Sequence, residues 1–273
     1  MKNSEGNKML FLNSLKKERD ISISTGQNVE VYVLEEIKNE KVLEEWATHF
    51  RQNYCVDELI DLLRDGTGCS RKEYLVNYKF PDKSEGFGPG TRSGDFAELL
   101  VSDFLEYVHG FEVPRDRYNC KFNRNSSTQG TDVIGLKILC EEVSEEDELV
   151  VFEVKSLASK SQVKNRLQDA VDDSEKDYLR KAETLNAIKQ KALERGDKAR
   201  VEKVHRFQNE IDRPYKMRYG AAAVYDFDMY SEQVLSSTVV NNDGRHIVDW
   251  LIVIKRKDLM TLVHAIYERA ADC

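Results

Sequence analysis

The order of apolar and polar residues predicts an α+β segment at the start of the chain. Residues 28–34 (NVEVYVL) alternate between apolar and polar side chains, which is typical of a β-strand. Apolar residues then recur at intervals of three and four over 40–53 and 57–64, so each of these segments is predicted to be an amphipathic helix. We expect residues 1–88 to form an N-terminal α+β lobe.

A cluster of glycine and proline residues, GFGPGTRSG, occupies positions 86–94. Clusters of this kind break regular structure, so we expect a domain boundary or a loop that approaches the functional site. Ser93 or Asp95 is then predicted to cap a helix that runs to about His109. The second domain is therefore predicted to span 89–273.

Two strand-like runs follow, TDVIGLKIL at 131–139 and LVVFEVKS at 149–156. The acidic stretch between them suits an exposed hairpin connection, so we expect an antiparallel pair. The rest of the pattern predicts helices and buried strands, the helices over 161–192, 198–211 and 257–271 and the strands over 219–227 and 248–255. This order of elements fits an α/β fold in which helices flank a mixed sheet.

The composition is that of an ordinary globular protein. Apolar residues make up 40% of the 273 positions, enough for a sizeable core. Apolar runs are far shorter than the ~20 residues of a membrane span, and the N-terminus has no apolar run of secretory length. We therefore expect a cytoplasmic protein that does not enter a membrane. Five scattered cysteines without a CxxC pair predict neither a disulfide framework nor a zinc site.

Charge is unevenly distributed along the chain. The formal net charge of -8 argues against a protein that coats nucleic acid by bulk electrostatics. Residues 155–206 nevertheless hold 14 Lys and Arg against 9 Asp and Glu. Two interpretations stay open for this excess: a solvated helical face, which is the usual meaning of a charge run, or a contact with nucleic acid.

The sequence VFEVK at 151–155 brings two charged residues to one side of a predicted strand. Because side chains alternate along a strand, Glu153 and Lys155 share one face, roughly 6.6 to 6.8 Å apart along the chain, and Phe152 and Val154 lie on the other. A strand flanked by helices normally carries apolar residues on both faces, so two charges there need a reason. A bound metal ion and a phosphate group would supply one.

Asp132 opens the preceding predicted strand in GTDVIG, where flanking glycines allow close backbone approach. Hairpin pairing is expected to bring its carboxylate beside Glu153. Two carboxylates, one backbone carbonyl such as that of Val154, and several waters would satisfy Mg²⁺. The ion would neutralise phosphate charge and activate a bound water, and Lys155 would orient that water or help to deprotonate it.

Glu98, on the helix predicted before these strands, carries the weakest signal of the candidate residues. Its carboxylate would complete the metal site or hold a second ion, whereas a lone helical Glu is ordinarily a solvated surface residue. A Glu-x-Lys pair on a strand is likewise common at exposed sheet edges. The order of the elements strengthens the prediction, since Glu on a capped helix precedes Asp at a glycine-flanked strand entry and Glu-x-Lys in the next strand.

The order of GDFAELL, GTDVIG and FEVKS resembles the PD-(D/E)xK nucleases over about residues 90–260. This resemblance implies a restriction-endonuclease-like core that uses Mg²⁺ or Mn²⁺, with the ion held by Glu98, Asp132, Glu153 and the carbonyl of Val154. The residues that match the catalytic motif are Glu98, Asp132, Glu153 and Lys155. Thr131 stands where the named motif has Pro, a position that metal binding does not need. Gln162 or Gln168 would take the role of the glutamine that some members carry in the following helix.

The same motifs, in a chain of this size with an additional N-terminal segment, are similar to those of the HamA family, effectors of the bacterial anti-phage defence system Hachiman. This similarity implies an effector that degrades DNA and is held in a complex with a helicase partner, HamB. Residues 1–88 would be either the docking surface for that partner or a structural extension of the nuclease core. The acidic balance predicts weak or conditional engagement of DNA, with the partner delivering DNA or restraining the site.

Two alternative functions stay open at this point. A nuclease fold that has lost turnover would serve as a scaffold or binding subunit, although the presence of all four candidate residues argues against such a loss. A structure-selective resolvase would use the same fold on branched DNA.

Overall fold

A six-stranded mixed sheet runs through the computed structural model, which describes residues 9–159, 162–241, 244 and 246–272. Its strands are β1 (Leu15–Ser22), β2 (Asn28–Leu34), β3 (Val133–Lys137), β4 (Glu148–Leu157), β5 (Lys216–Asp226) and β6 (Val248–Arg256). Their order across the sheet is β1-β2-β6-β5-β4-β3. The outer pairs β1–β2 and β3–β4 are antiparallel, and the inner pairings β2–β6, β6–β5 and β5–β4 are parallel.

Helices cover both faces of the sheet. They are α1 (Glu40–Tyr54), α2 (Asp57–Arg64), α3 (Arg71–Tyr74), α4 (Gly88–Tyr107), α5 (Arg166–Ser174), α6 (Asp177–Glu194), α7 (Lys198–Arg206), α8 (Glu232–Ser236) and α9 (Leu259–Ala271). The core under α1, α4 and α9 lies on one face, and the core under α5, α6 and α7 lies on the other. This arrangement confirms the predicted α/β class. Within the described ranges, none of the helices is both long and apolar enough to cross a bilayer.

Strand β4 shows the burial on two faces that a strand between two helical layers requires. Val150, Phe152 and Val154 contribute to the core under α1, α4 and α9, whereas Leu149 and Val151 contribute to the core under α5, α6 and α7. Side-chain alternation then directs the odd-numbered charged residues of this strand toward α5–α7. The predicted separation of the Glu-x-Lys pair from Phe152 and Val154 is confirmed, as is the antiparallel pairing of β3 with β4.

The first 88 residues share their sheet and their core with the rest of the chain. Strand β2 pairs in parallel with β6, with Val31 opposite Val253. Trp46 and Phe50 of α1 lie in the same buried cluster as Phe96 of α4, and α1 also packs against α9. The boundary predicted between 1–88 and 89–273 therefore crosses a continuous sheet and a continuous core.

The glycine and proline cluster begins a helix, so the prediction of a loop there was wrong. Helix α4 starts at Gly88, with Pro89 in its first turn, rather than at a cap formed by Ser93 or Asp95. Proline is tolerated in this turn because the first backbone N–H groups of a helix have no intrahelical acceptor. The glycines at 90 and 94 lie in open space, where an added Cβ would contact nothing. The helix therefore presents bare backbone at this end.

Other elements also differ from the sequence-based prediction. The helix predicted over 161–192 is interrupted, since α5 ends at Ser174 and α6 begins at Asp177. Strand β1 was not predicted at all, because this edge strand has mostly exposed side chains and carries charges without an apolar alternation. Its pairing with β2 is what places it in the sheet.

The close packing of Gly220 on β5 allows this architecture to be tested. Gly220 lies opposite Phe152, and a Cβ at Gly220 would lie 2.4 Å from the Phe152 ring. We expect Gly220→Ala to lower the free energy of unfolding by about 1–3 kcal/mol, because the buried ring must shift. Gly94→Ala, in open helical space, should raise the free energy of unfolding by up to about 1 kcal/mol. Equilibrium urea denaturation measures both changes, and equal stability of the two variants would contradict the register.

Candidate active site

The pairing of β3 with β4 brings two of the candidate carboxylates together. Val133 lies opposite Phe152, so Asp132, one residue before β3, continues the register opposite Glu153. The backbone N–H of Val154 donates a 3.0 Å hydrogen bond to Oδ2 of Asp132. Because a paired strand residue directs its N–H and its C=O to the same neighbour, the Val154 carbonyl also faces the Asp132 side. The three predicted metal ligands, which are the carboxylates of Asp132 and Glu153 and the carbonyl of Val154, therefore lie around the start of β3.

The entry to β3 depends on glycine, as the GTDVIG sequence predicts. Gly130 has a φ of +98°, in the region that favours glycine, and a Cβ there would lie 2.8 Å from Oγ1 of Thr184. The next backbone N–H, that of Thr131, donates to the same Thr184 hydroxyl at 3.1 Å. The turn that presents Asp132 is thus held against helix α6.

Glu153 is a buried carboxylate that is only partly neutralised. Only 4% of the surface of Glu153 is exposed. The ammonium group of Lys155 donates to Oε1 at 2.6 Å. Among the described residues, Oε2 accepts no hydrogen bond, and Nη1 of Arg180 lies 3.7 Å from it. Burial raises the pKa of Glu153, and the nearby charge of Asp132 raises it further.

Lys155 is held between two carboxylates, since its Nζ also lies 2.7 Å from Oδ2 of Asp173 at the end of α5. Burial acts to lower the pKa of Lys155, but the hydrogen bonds to Asp173 and Glu153 outweigh it and hold the pKa above its ordinary value. The same hydrogen bond from Lys155 lowers the pKa of Asp173. In this arrangement Lys155 is a cation, suited to orient a water or to stabilise negative charge rather than to accept a proton.

Glu98 reaches the site from helix α4 and is linked to it through Arg117. The Tyr118 hydroxyl donates to Oε2 of Glu98 at 2.8 Å, and Nη2 of Arg117 lies 3.2 Å from the same oxygen. The same Arg117 nitrogen lies 3.5 Å from Oδ1 of Asp132. Burial raises the pKa of Glu98 to about 8, and Arg117 opposes that rise. Glu98 therefore faces the site, with a guanidinium between it and Asp132.

Arg117 is a site residue that the sequence did not indicate. Its guanidinium also donates to the backbone carbonyls of Thr131 and Asp132 and to the hydroxyl of Thr128. It lies in the segment between α4 and β3, where the sequence has neither a periodic pattern nor a motif. Only the folded chain brings it against Glu98.

Asp177, the first residue of α6, is a further carboxylate that sequence reasoning missed. It is fully buried, and neither side-chain oxygen has a hydrogen-bond partner among the described residues. Burial raises its pKa to about 8, and the charges of Glu153 and Asp132 contribute to the rise. No sequence signal marks Asp177, because it falls inside a stretch whose periodicity predicts one continuous helix.

The two predicted accessory glutamines lie on α5 and in the segment before it. The amide of Gln168 exchanges two hydrogen bonds with the backbone of Val239, at 2.8 and 3.0 Å, and also donates to Asp172. Gln168 is thus part of the packing between α5 and the segment after α8. Gln162 lies in the exposed segment before α5. Neither glutamine lines the cleft that the carboxylates face.

Glu98, Asp132, Glu153 and Asp173 line an open cleft of about 880 Å³. Its walls are the first turns of α4, the segment 127–130, the end of β4 and the start of α5 and α6, and its cations include Lys155, Arg166 and Arg180. Other cations of the basic stretch pair with carboxylates elsewhere, as Arg195 and Arg200 do with Asp116. Much of the positive charge in residues 155–206 is therefore paired within the molecule. A smaller basic patch remains at the cleft.

The donor set fits a hydrated divalent ion. Within the described parts of the chain, no three His, Cys, Asp or Glu side chains are already placed to hold a metal ion together. Asp132, Glu153 and the Val154 carbonyl would nevertheless provide three oxygens, and Mg²⁺ usually keeps several waters as its other ligands. The buried Oε2 of Glu153, which accepts no hydrogen bond in the described structure, supports this fit because an anionic oxygen in a buried setting gains from a cation.

The burial of Asp177 predicts how the stability of the metal-free protein depends on pH. Its raised pKa means that the folded state holds the proton more tightly than the unfolded chain, whose Asp ionises near pH 4. The resulting cost in stability is absent below about pH 4, grows as the pH rises and is complete above about pH 8. We expect Asp177→Asn to match the original protein at pH 4 and to exceed its unfolding free energy at pH 8. Denaturation in EDTA at both values measures this, and a constant difference would contradict it.

The comparisons with known proteins give one family match. No curated protein matches the chain. The model of the HamA family matches residues 9–270, which include every strand, α1 to α8, nearly all of α9 and all the carboxylates described above. Because this match spans nearly the whole chain, the protein belongs to the HamA family and is a component of Hachiman anti-phage defence.

Proposed function

We propose that this chain is the effector of its defence system and a metal-dependent DNA nuclease of the PD-(D/E)xK type. The observation that carries this proposal is the register of β3 and β4, which sets Asp132 opposite Glu153 at the edge of an open cleft. Lys155 follows on the same strand face, 2.6 Å from Glu153. A buried and a half-buried carboxylate with an adjacent cation match the requirements of phosphodiester hydrolysis.

The proposed reaction divides roles among these residues. Asp132, Glu153 and the Val154 carbonyl would hold a divalent ion, which would supply a water of lowered pKa and positive charge beside the phosphate. Lys155 orients the attacking water and stabilises negative charge on the phosphate during attack. Glu98 affects the electrostatic potential at Asp132 and Glu153 through Arg117, which it contacts at 3.2 Å.

The form of the cleft supports a polymeric substrate. It is open rather than closed around a small molecule, and Arg166 and Arg180 lie on its α5–α6 side. The opposite wall carries Gly90 and Gly94, where backbone is exposed without side chains. A phosphate backbone would lie between the cationic side chains and this helix end. The intact set of acids and Lys155 also disfavours an inactive scaffold.

Removing the Glu153 carboxylate tests the proposed site. We expect Glu153→Gln to lower Mg²⁺-dependent cleavage of duplex DNA by at least about 100-fold, because one ionic metal ligand is lost. Glu148→Gln is the matched control, since the same substitution lies at the opposite end of the same strand. Time courses on linear, circular and branched DNA measure the rates. Equal cleavage by the original protein and Glu153→Gln would refute the site, and cleavage confined to branched DNA would favour a resolvase.

We further propose that a helicase subunit of the HamB type delivers DNA to this chain or restrains its site. The net charge of -8 and the internal pairing of the basic stretch give the chain little free positive surface for duplex DNA. The isolated chain is therefore expected to cleave DNA slowly at physiological salt. Adding the helicase subunit with ATP should change the rate at least about tenfold; full activity of the isolated chain would contradict delivery of DNA by the partner, and an unchanged rate would contradict both roles.

A further inference from the structure

Asp177 is an unusual buried acid, because both of its side-chain oxygens are unsatisfied in the described structure. Buried side-chain oxygens are nearly always hydrogen-bonded, and each exception calls for an explanation. Asp177 has no exposed surface, yet both of its oxygens lack a hydrogen-bond partner among the described residues. A carboxylate in this setting is costly unless something compensates it.

The charged groups around Asp177 indicate that a cation would compensate its negative charge. Glu153 and Asp132 are the two anions whose charges act on it, and Arg180 and Arg117 are the opposing cations. Arg180 lies one helical turn further along α6, and its Nη1 is 3.7 Å from Oε2 of Glu153. That Glu153 oxygen is itself buried without a hydrogen bond in the described structure. Both carboxylates are incompletely satisfied, and Arg180, three residues after Asp177 on α6, contacts Glu153 of β4.

We propose that Asp177 is a further carboxylate of the divalent-cation site and holds a cation together with Glu153. This inference rests on the proposed function and extends it, because it adds a ligand from α6 to a site otherwise built on β3 and β4. The break between α5 and α6 then has a role, since the new helix begins at Asp177. A structural carboxylate in the same position would normally be paired.

The substitution Asp177→Asn separates the two roles. Asparagine keeps the size and shape of the aspartate side chain but removes its charge. A ligand role predicts that Asp177→Asn weakens Mn²⁺ binding about 10- to 100-fold or removes one bound ion. It also predicts a smaller rise in Tm on adding Mn²⁺, although the variant in EDTA at pH 8 is at least as stable as the original protein. Opposite effects on stability and on metal binding are not expected from a packing role.

The experiment is isothermal titration calorimetry of the full chain with Mn²⁺ alone, paired with thermal unfolding in EDTA and in Mn²⁺. Glu183→Gln is the matched control, because it removes the same charge from an exposed, cleft-lining position on the same helix, whereas Asp177 is buried. Unchanged affinity and stoichiometry in Asp177→Asn, with binding abolished in Glu153→Gln, would overturn the inference and leave the proposed function standing. Absence of Mn²⁺ binding by the original protein would overturn both.

Discussion

The antiparallel pairing of β3 with β4 is the constraint on which the site depends. It fixes Asp132 opposite Glu153, and a slip of one residue would turn every side chain of β3 to the other face of the sheet. The register is secured because Phe152 and Val150 pack under α4 while Val151 and Leu149 pack under α5–α7. The apolar residues of β4 thus hold the polar ones in place.

Charge in this site is balanced by a small number of internal cations. Lys155 joins Glu153 to Asp173, and Arg117 lies between Glu98 and Asp132. These contacts are made in a largely buried setting, where unpaired charge is costly and paired charge is held firmly. The group therefore has a defined shape before any ligand binds. Such preorganisation is the usual basis of electrostatic catalysis.

The N-terminal segment belongs to the same structural unit as the site. Strand β2 extends the sheet beside β6, and α1 completes the layer that also contains α4, the helix that carries Glu98. Packing of Trp46 and Phe50 against Phe96 connects this segment to α4 directly. A contact made on the outer surface of α1 or β1 is thus separated from the cleft by one continuous core.

The sequence by itself determined the features that follow from local backbone geometry. Strand periodicity placed Glu153 and Lys155 on one face, and the glycine at 130 marked the strand entry at Asp132, because alternation and permitted φ values are properties of a few adjacent residues. The bounds of β2 and α2 were predicted for the same reason. Only the tertiary structure decided the roles of Arg117, Asp173 and Asp177, the helix start at Gly88 and the pairing of β1. Each depends on which distant surfaces meet and on how deeply a charge is buried. Desolvation and ion pairing are set by the three-dimensional surroundings, which the spacing of residues along one chain does not encode.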